Sequence, residues 1–175
     1  MERRKKNRLD GYDYSQPGAY FITICVKDHK CLLGTVVGAD DHIGPTVQLT
    51  KTGKVVEEFT RSIPGVGHYV VMPNHVHMIL HISAKSPMEG PMWSSARTED
   101  VRIGPMWSSA PTGVRVENLV RTWKTLITKS LGQSIWQRSY YDHIIRDERE
   151  YVEVAEYIMG NPGKWLDDKY YSRPY

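Results

Sequence analysis

Residues 70–82, with the sequence VVMPNHVHMILHI, constrain the fold more than any other part of the chain. This apolar run is rich in Val, Ile, Leu and Met, and Pro73-Asn74 interrupts it in the middle, a pattern typical of two strands joined by a tight turn. Residues two apart in a strand point to the same face of a sheet. We therefore expect His75 and His77 to project from one face, while the alternate apolar residues enter a core on the other.

The two histidines form a candidate metal site, because imidazoles on one strand face can converge on a single ion. His81 shares their side, but at about 3.3 Å per residue it lies roughly 13 Å from His77, too far for the same ion. A His-x-His pair is a weak motif on its own. The alternative is a pair of half-exposed strand histidines, and a metal site requires at least one further ligand from elsewhere in the chain.

Apolar periodicity outside this run predicts further strands and helices. Residues 19–26, AYFITICV, are dense in β-branched and aromatic side chains and predict a buried strand. A short partner strand is predicted over 31–37, followed by a loop over 38–46. Two amphipathic helices are predicted over 50–63 and 114–131, and a further strand or extended segment over 135–145. A last helix is predicted over 146–160, ended by Asn161-Pro162-Gly163.

The resulting order, strand-helix-strand-strand-helix-strand and then an extra helix, is that of the ferredoxin-like split βαβ fold. The expected class is therefore α+β. We expect an antiparallel sheet with helices on one face and the other face free for a site, together with the additional C-terminal helix.

Length and charge fit one domain over residues 1–175 and permit a nucleic-acid partner without requiring one, since the net charge is only +3. The basic residues are unevenly spread, and five of them crowd the N-terminus. They are Arg3, Arg4, Lys5, Lys6 and Arg8. Such a run is either a solvated end or an arm that contacts DNA.

Cysteine usage indicates a reduced, cytoplasmic protein. Cys25 and Cys31 form no CxxC motif and follow no secretory leader. No apolar run is long enough to span a bilayer, so no membrane partner is expected.

Residues 83–113 differ from the rest in composition. The heptapeptide GPMWSSA occurs at 90–96 and again at 104–110, within a segment dominated by Pro, Ser, Gly and Thr. This composition is typical of an inserted flexible linker. Trp93 and Trp107 either stack on nucleic-acid bases or belong to a duplicated piece of linker with no fixed role.

The last predicted helix carries a second candidate pair, Tyr157 and Asn161, which lie four apart and so share one face. An amide oxygen beside two imidazoles suits Mn²⁺ or Mg²⁺, ions that also bind phosphate oxygens. A phenol, whose pKa is near 10, becomes a nucleophile when an ion or a base helps to remove its proton. Pattern alone does not favour Tyr157 over three other tyrosines of this region, Tyr140, Tyr141 and Tyr151.

Four stretches of the chain resemble the REP-associated tyrosine transposases, a branch of the single-tyrosine HUH-type transposases. They are GYDYSQPGAYFITICV (11–26), VVMPNHVHMIL (70–80), IWQRSYYDHIIRDEREY (135–151) and YIMGNPGKW (157–165). They are spread over nearly the whole chain, and their order also fits. The segment with the duplicated GPMWSSA departs from the family pattern.

The resemblance implies a role for each matching residue. His75 and His77 fill both histidine positions of the HUH motif, Tyr157 falls at the nucleophile position, and Asn161 falls where the family places a third metal ligand, Gln or Asn. The implied activity is metal-dependent cleavage and rejoining of single-stranded DNA through a 5′-phosphotyrosine, which leaves a free 3′-OH. The implied substrates are short imperfect palindromes that fold as hairpins, and the implied assembly is a monomer or a homodimer.

Two other classes of function stay open at this level. One is a hairpin-binding module that does not cut DNA. The other is an unrelated metal hydrolase in which His68 or His143 supplies the third ligand. The second class leaves the C-terminal pair of Tyr157 and Asn161 unexplained.

Overall fold

A four-stranded antiparallel sheet lies at the centre of the computed structural model, which describes residues 16–38, 44–83 and 115–172. Its strands are β1 (Gly18–Cys25), β4 (Val66–Val71), β5 (His75–Ile82) and β6 (Tyr141–Ile145), in the spatial order β4-β5-β1-β6. Strands β2 (Gly34–Val37) and β3 (Thr46–Leu49) pair in a separate two-stranded sheet. The helices are α1 (Lys51–Arg61), α2 (Val116–Leu131) and α3 (Glu148–Gly160). The predicted α+β fold with a split βαβ sheet is confirmed.

Side-chain alternation along β1 divides the sheet into two faces. Tyr20, Ile22 and Ile24 are fully buried in the main core, which includes apolar residues of α1 and α2. The alternate residues of β1 point to the opposite face. The strand is therefore buried on both sides, which explains why AYFITICV is apolar almost throughout.

Local signals fix the ends of the helices. Thr50 caps α1, since its hydroxyl oxygen accepts a hydrogen bond from the backbone N–H of Gly53 at 3.0 Å. Asp147 caps α3 in the same way, accepting from the N–H of Glu150 at 2.8 Å. Gly132 ends α2 in the left-handed conformation, with φ of 70°.

Helix α3 packs against the second face of the sheet, where the sequence predicted an uncovered surface. Ala155 and Ile158 of α3 form a small apolar cluster with Ile79 of β5 and Ile145 of β6. This face is therefore only partly available, because α3 has an apolar stripe of its own to bury. The same packing brings the C-terminal end of α3 towards the beginning of β5.

Three element boundaries and one strand pairing differ from the sequence prediction. Residues 46–49 form β3, although the predicted loop ended at residue 46 and no element was predicted for residues 47–49. The short strand predicted over 31–37 is present as β2, and it pairs with β3 instead of β1. The predicted strand over 135–145 is regular only from Tyr141, although Trp136 forms an isolated bridge with Val26. The chain does not leave helical geometry at Asn161-Pro162-Gly163 but continues as a 3-10 helix, Asn161–Asp167. Proline is compatible with the first turn of a helix, so its presence here starts the new helical segment.

The basic N-terminal run and, apart from Ser83, the proposed insert of 83–113 lie outside the described residues. Within the part of the chain that the structure covers, no helix is long and apolar enough to cross a membrane.

Candidate active site

The two histidines of β5 lie side by side on the face that α3 partly covers. Both are buried, with 0% and 1% of the surface of His75 and His77 exposed. Their Nε2 atoms are 3.0 Å apart. The predicted convergence of the two imidazoles is therefore present in the fold, and it follows from the two-residue period of the strand.

The other ring nitrogen of each histidine has a polar partner. Nδ1 of His75 is 2.8 Å from Oδ1 of Asn74, the preceding residue in the turn between β4 and β5. Nδ1 of His77 is 2.8 Å from the hydroxyl of Thr23, its register partner on β1. Both rings are thus held by their Nδ1 atoms while their Nε2 atoms face each other.

Tyr157 is the tyrosine that α3 places beside these rings. Its hydroxyl oxygen is 3.4 Å from Nε2 of His77, and the two ring centroids are 5.2 Å apart. Phe21 packs edge-on against the Tyr157 ring from β1, at 6.0 Å. Tyr157 is 36% exposed, so it lies at the surface of the site while the histidines form its floor.

Asn161 lies one turn further along the chain and is buried, with 1% of its surface exposed. Its Nδ2 donates a hydrogen bond to Oδ2 of Asp168 at 3.2 Å. Its carbonyl oxygen Oδ1 is buried and has no hydrogen-bond partner among the described residues. A buried amide oxygen without a donor is costly unless something else satisfies it.

Asp168 joins the site although nothing in the sequence singled it out. It lies just after the 3-10 helix, and one of its oxygens and one nitrogen from each of His75 and His77 all lie within 4.8 Å of one another. Its Oδ1 accepts a hydrogen bond from the backbone N–H of Tyr170 at 2.6 Å, which fixes the carboxylate. No periodic pattern links residue 168 to the strand histidines, so sequence reasoning had no signal for it.

Burial sets the electrostatics of the site. It lowers the pKa of His75 to about 4, against the opposing effect of the Asp168 carboxylate. Burial and the neighbouring His75 hold the pKa of His77 well below its ordinary value. Both rings are therefore neutral at pH 7, the form in which imidazole binds a metal.

Tyr157 is protonated at neutral pH in this environment. Burial and the Asp168 carboxylate raise the pKa of its phenol, although the Lys169 ammonium and a hydrogen bond from Asn161 act in the opposite direction. A phenol in this state requires help to lose its proton before it can act as a nucleophile.

The donor set fits a divalent cation. Two ligand nitrogens that lie about 2.1 Å from an ion and subtend a right angle at it are about 3.0 Å apart. The two Nε2 atoms are also separated by 3.0 Å. The Asp168 carboxylate supplies an oxygen donor beside them. Asn161, whose Nδ2 donates to that carboxylate, has a buried Oδ1 without a hydrogen-bond partner among the described residues. Mixed imidazole and oxygen ligands are compatible with Mn²⁺ and Mg²⁺.

Three other candidates from the sequence, Tyr151, His68 and His143, have partners outside this site. Tyr151 of α3 contacts His68 and His81, with its hydroxyl 3.3 Å from Nδ1 of His68 and 3.4 Å from Nε2 of His81. His143 pairs instead with Glu150, at 2.6 Å. Neither His68 nor His143 thus joins the pair of β5, where Asp168 provides the additional acidic group.

Comparison with known proteins finds relatives over nearly the whole chain. A protein of unassigned function from Haemophilus influenzae is 33% identical over 184 aligned residues, which cover 98% of this chain and 94% of that protein. A second protein of the same organism, whose name marks it as a candidate REP-associated tyrosine transposase, is 23% identical over 87% of this chain and 74% of its own length. No family model matches the chain.

Among solved structures, a REP-associated tyrosine transposase bound to a REP hairpin has a similar fold. It matches with a TM-score of 0.50 and 19% identity, over 94% of this chain and 74% of that one. The chain therefore has the α+β fold of that transposase, and the resemblance seen in the sequence is confirmed. The chain belongs to the same family as the 33% identical Haemophilus influenzae protein.

Proposed function

We propose that this protein is a metal-dependent single-stranded DNA endonuclease and strand transferase that acts on hairpin-forming repeats, in transposition or in resident repeat processing. The observation that carries the proposal is the placement of the Tyr157 hydroxyl 3.4 Å from Nε2 of His77, beside the convergent Nε2 atom of His75. A tyrosine next to a candidate ion site suits covalent phosphodiester chemistry, because an ion can help to activate the phenol and can stabilise charge on the phosphate.

The proposed reaction is a transesterification. The Tyr157 oxygen attacks the scissile phosphorus and forms a new O–P bond, while the bond from phosphorus to the 3′ oxygen breaks. The phenol loses its proton and the leaving 3′ oxygen gains one, so the products are a 5′-phosphotyrosine and a free 3′-OH. One phosphodiester is exchanged for another, and the reverse reaction with a different 3′-OH rejoins DNA.

The chain's own residues position this chemistry. His75, His77 and Asn161 are the proposed metal ligands, and Asp168 is the additional oxygen donor that the fold brings to them. A bound Mn²⁺ or Mg²⁺ would polarise the phosphodiester and stabilise the charge that develops on its oxygens. Phe21 packs against the rings of Tyr157 and His77 and limits how far the phenol can turn away from the site.

The hairpin substrate is proposed from the sequence resemblance and from the similar solved structure, in which the transposase is bound to a REP hairpin. Tyr157 lies beside His77 of its own chain, which supports a site completed within one subunit, in either a monomer or a homodimer. Substrate DNA of this kind is consistent with a cytoplasmic protein.

A covalent-trapping experiment tests the proposal. Labelled hairpin oligonucleotides with single-stranded flanks, taken from repeats beside the source gene, are incubated with the protein and Mn²⁺ or Mg²⁺ and resolved on a denaturing gel. We expect a slowly migrating adduct that requires the ion, because the DNA becomes bonded to the protein. Tyr157→Phe should abolish the adduct but retain DNA binding, and His75→Ala should abolish cleavage and weaken Mn²⁺ binding.

Tyr151→Phe is the matched control, because Tyr151 is on the same helix but contacts His68 and His81. Its adduct should form as in the wild type. An adduct that survives Tyr157→Phe would refute the assignment of the nucleophile. Hairpin binding without cleavage under any divalent ion would indicate a non-cleaving binding module, and hydrolysis of a small ester unaffected by Tyr157→Phe would indicate an unrelated metal hydrolase.

A further inference from the structure

Asn74, in the turn between β4 and β5, has a side-chain amide whose orientation is determined by its surroundings. Its Nδ2 lies 2.7 Å from the carbonyl oxygen of Tyr170 and 3.1 Å from that of His29. Carbonyl oxygens only accept hydrogen bonds, so the NH₂ group must face them. The opposite orientation would place Oδ1 against two carbonyl oxygens and lose both bonds.

A third group also contacts this amide. The hydroxyl of Ser172 lies 3.1 Å from Nδ2 of Asn74 and itself donates to the carbonyl of His29 at 2.6 Å. The His29 carbonyl belongs to a turn in which Asp28 and His29 both have positive φ, 57° and 52°, which is uncommon for residues other than glycine. The side-chain amide of Asn74 thus connects the turn at residues 28–29 with the C-terminal residues 170–172.

The orientation of this amide determines which nitrogen of His75 carries hydrogen. Oδ1 of Asn74 faces Nδ1 of His75 at 2.8 Å and can only accept, so Nδ1 must donate. A neutral imidazole has a single N–H, and Nε2 of His75 therefore presents its lone pair towards His77 and the proposed ion. Partners of this kind commonly orient metal-binding histidines.

We propose that Asn74 is a positioning residue that locks His75 in the tautomer with hydrogen on Nδ1, so that Nε2 is ready to bind the divalent ion. The inference rests on the metal-binding part of the proposed function and adds to it the residue that prepares the ligand. Asn74 touches neither the DNA nor the reacting atoms in this scheme, and it acts through His75.

Nuclear magnetic resonance tests the tautomer directly. Long-range ¹H–¹⁵N correlation spectra of the metal-free full-length protein, labelled with ¹⁵N-histidine, distinguish the two tautomers, and the His75 signals are assigned by their loss in His75→Gln. We expect hydrogen on Nδ1 in the wild type and a mixture of tautomers in Asn74→Leu, which keeps the branched arrangement of heavy atoms but removes the acceptor.

A titration with Mn²⁺ alone provides the second readout. The electron paramagnetic resonance signal of the free ion measures how much Mn²⁺ remains unbound. We expect Asn74→Leu to bind Mn²⁺ about 10- to 100-fold more weakly, as for other partners of metal-binding histidines. Ser172→Ala is the matched control, because it removes one contact to the Asn74 amide and leaves both carbonyl acceptors. Its tautomer and Mn²⁺ affinity should be those of the wild type.

Three results would overturn the inference: hydrogen on Nε2 of wild-type His75, unchanged Mn²⁺ affinity in Asn74→Leu, or weaker binding with an unchanged tautomer. Thermal melting shows whether Asn74→Leu folds. If it does not, the inference is tested by the His75 tautomer of the wild type and by the tautomer and Mn²⁺ affinity of Asn74→Ala. None of these measurements uses DNA. If no DNA adduct forms but the tautomer and the Mn²⁺ affinities are as expected, the proposed reaction is refuted. The role of Asn74 is then still supported.

Discussion

Burial of His75 links the candidate site to the stability of the fold. The folded-state pKa of this ring is about 4, below the ordinary value of 6.5, because the charged form loses its hydration inside the protein. The unfolded chain therefore binds more protons than the folded one between these two values. Stability contributed by neutral His75 is fully present above pH 6.5 and is lost as the pH falls towards 4.

We predict that the metal-free protein loses stability on acidification within this window. One pKa unit corresponds to about 1.4 kcal/mol, so His75 alone accounts for a loss on the order of 3 kcal/mol between pH 6.5 and 4. Denaturant unfolding in the presence of a chelator, repeated at several pH values, measures the effect. His75→Gln has no such titration and should show a smaller slope; equal slopes in the two proteins would contradict the prediction.

Single residues of the site differ in how far the sequence predicts them. His75, His77, Tyr157 and Asn161 follow from strand or helix periodicity together with the family resemblance, because each lies within a regular element or at its end. Asp168 meets the histidines through the path of the chain after α3, which no local pattern encodes. Its role could be inferred only once the tertiary contacts were known.

At the level of elements, the first turn of α1 packs directly against the chain before β2. A Cβ atom at Gly53 would lie 1.8 Å from the carbonyl oxygen of Leu33, so only glycine fits there. That carbonyl also accepts a hydrogen bond from the N–H of Thr50, and the N–H of Leu33 donates to the carbonyl of Pro73. The contact thus connects α1 with the turn that precedes the histidines.

Gly53→Ala is predicted to destabilise the protein by about 1 to 3 kcal/mol, the usual cost of forcing extra volume into a packed site. This is the reverse of the ordinary preference for alanine in helices, which is worth about 1 kcal/mol. Gly160→Ala is the control, since a Cβ at Gly160 has no neighbour within 4 Å and α3 is helical there. Denaturant midpoints that fall in both variants, or in neither, would contradict the prediction.

The sequence predicts long elements better than short ones. The strand over 19–26 and the helix over 114–131 have many apolar residues at one period, and both are present as β1 and α2. Strand β3 has four residues, none of them fully buried, so its pattern is too short to distinguish from a loop. Its pairing with β2 depends on contacts between separate segments.

For the whole molecule, the order of elements was sufficient to predict the topology, because few arrangements of this order bury both helices on one sheet face. The sequence did not predict that α3 covers part of the other face. That packing depends on the fit of Ala155 and Ile158 against Ile79 and Ile145. The domain boundary and the inserted segment around the duplicated GPMWSSA stay predictions from composition.

The uneven distribution of positive charge leads to a prediction about DNA binding by the whole protein. The net charge is only +3, yet five basic residues lie within the first eight. We propose that Arg3, Arg4, Lys5, Lys6 and Arg8 contact DNA phosphates. Each such contact releases a counterion and contributes about 0.7 to 0.9 to the slope of log affinity against log salt concentration.

Replacing all five by serine should therefore weaken hairpin binding at low salt and reduce the magnitude of that slope by about 3 to 5. Fluorescence anisotropy of a labelled hairpin, titrated at several salt concentrations with Tyr157→Phe protein to prevent reaction, measures the slope. The matched control replaces Lys51 and Lys54 of α1, which are exposed on the helix that packs against the opposite face of the sheet. Its slope should not change, because α1 packs on the face of the sheet opposite the two histidines. An unchanged slope in the five-residue variant would instead identify the run as a solvated end without a role in binding.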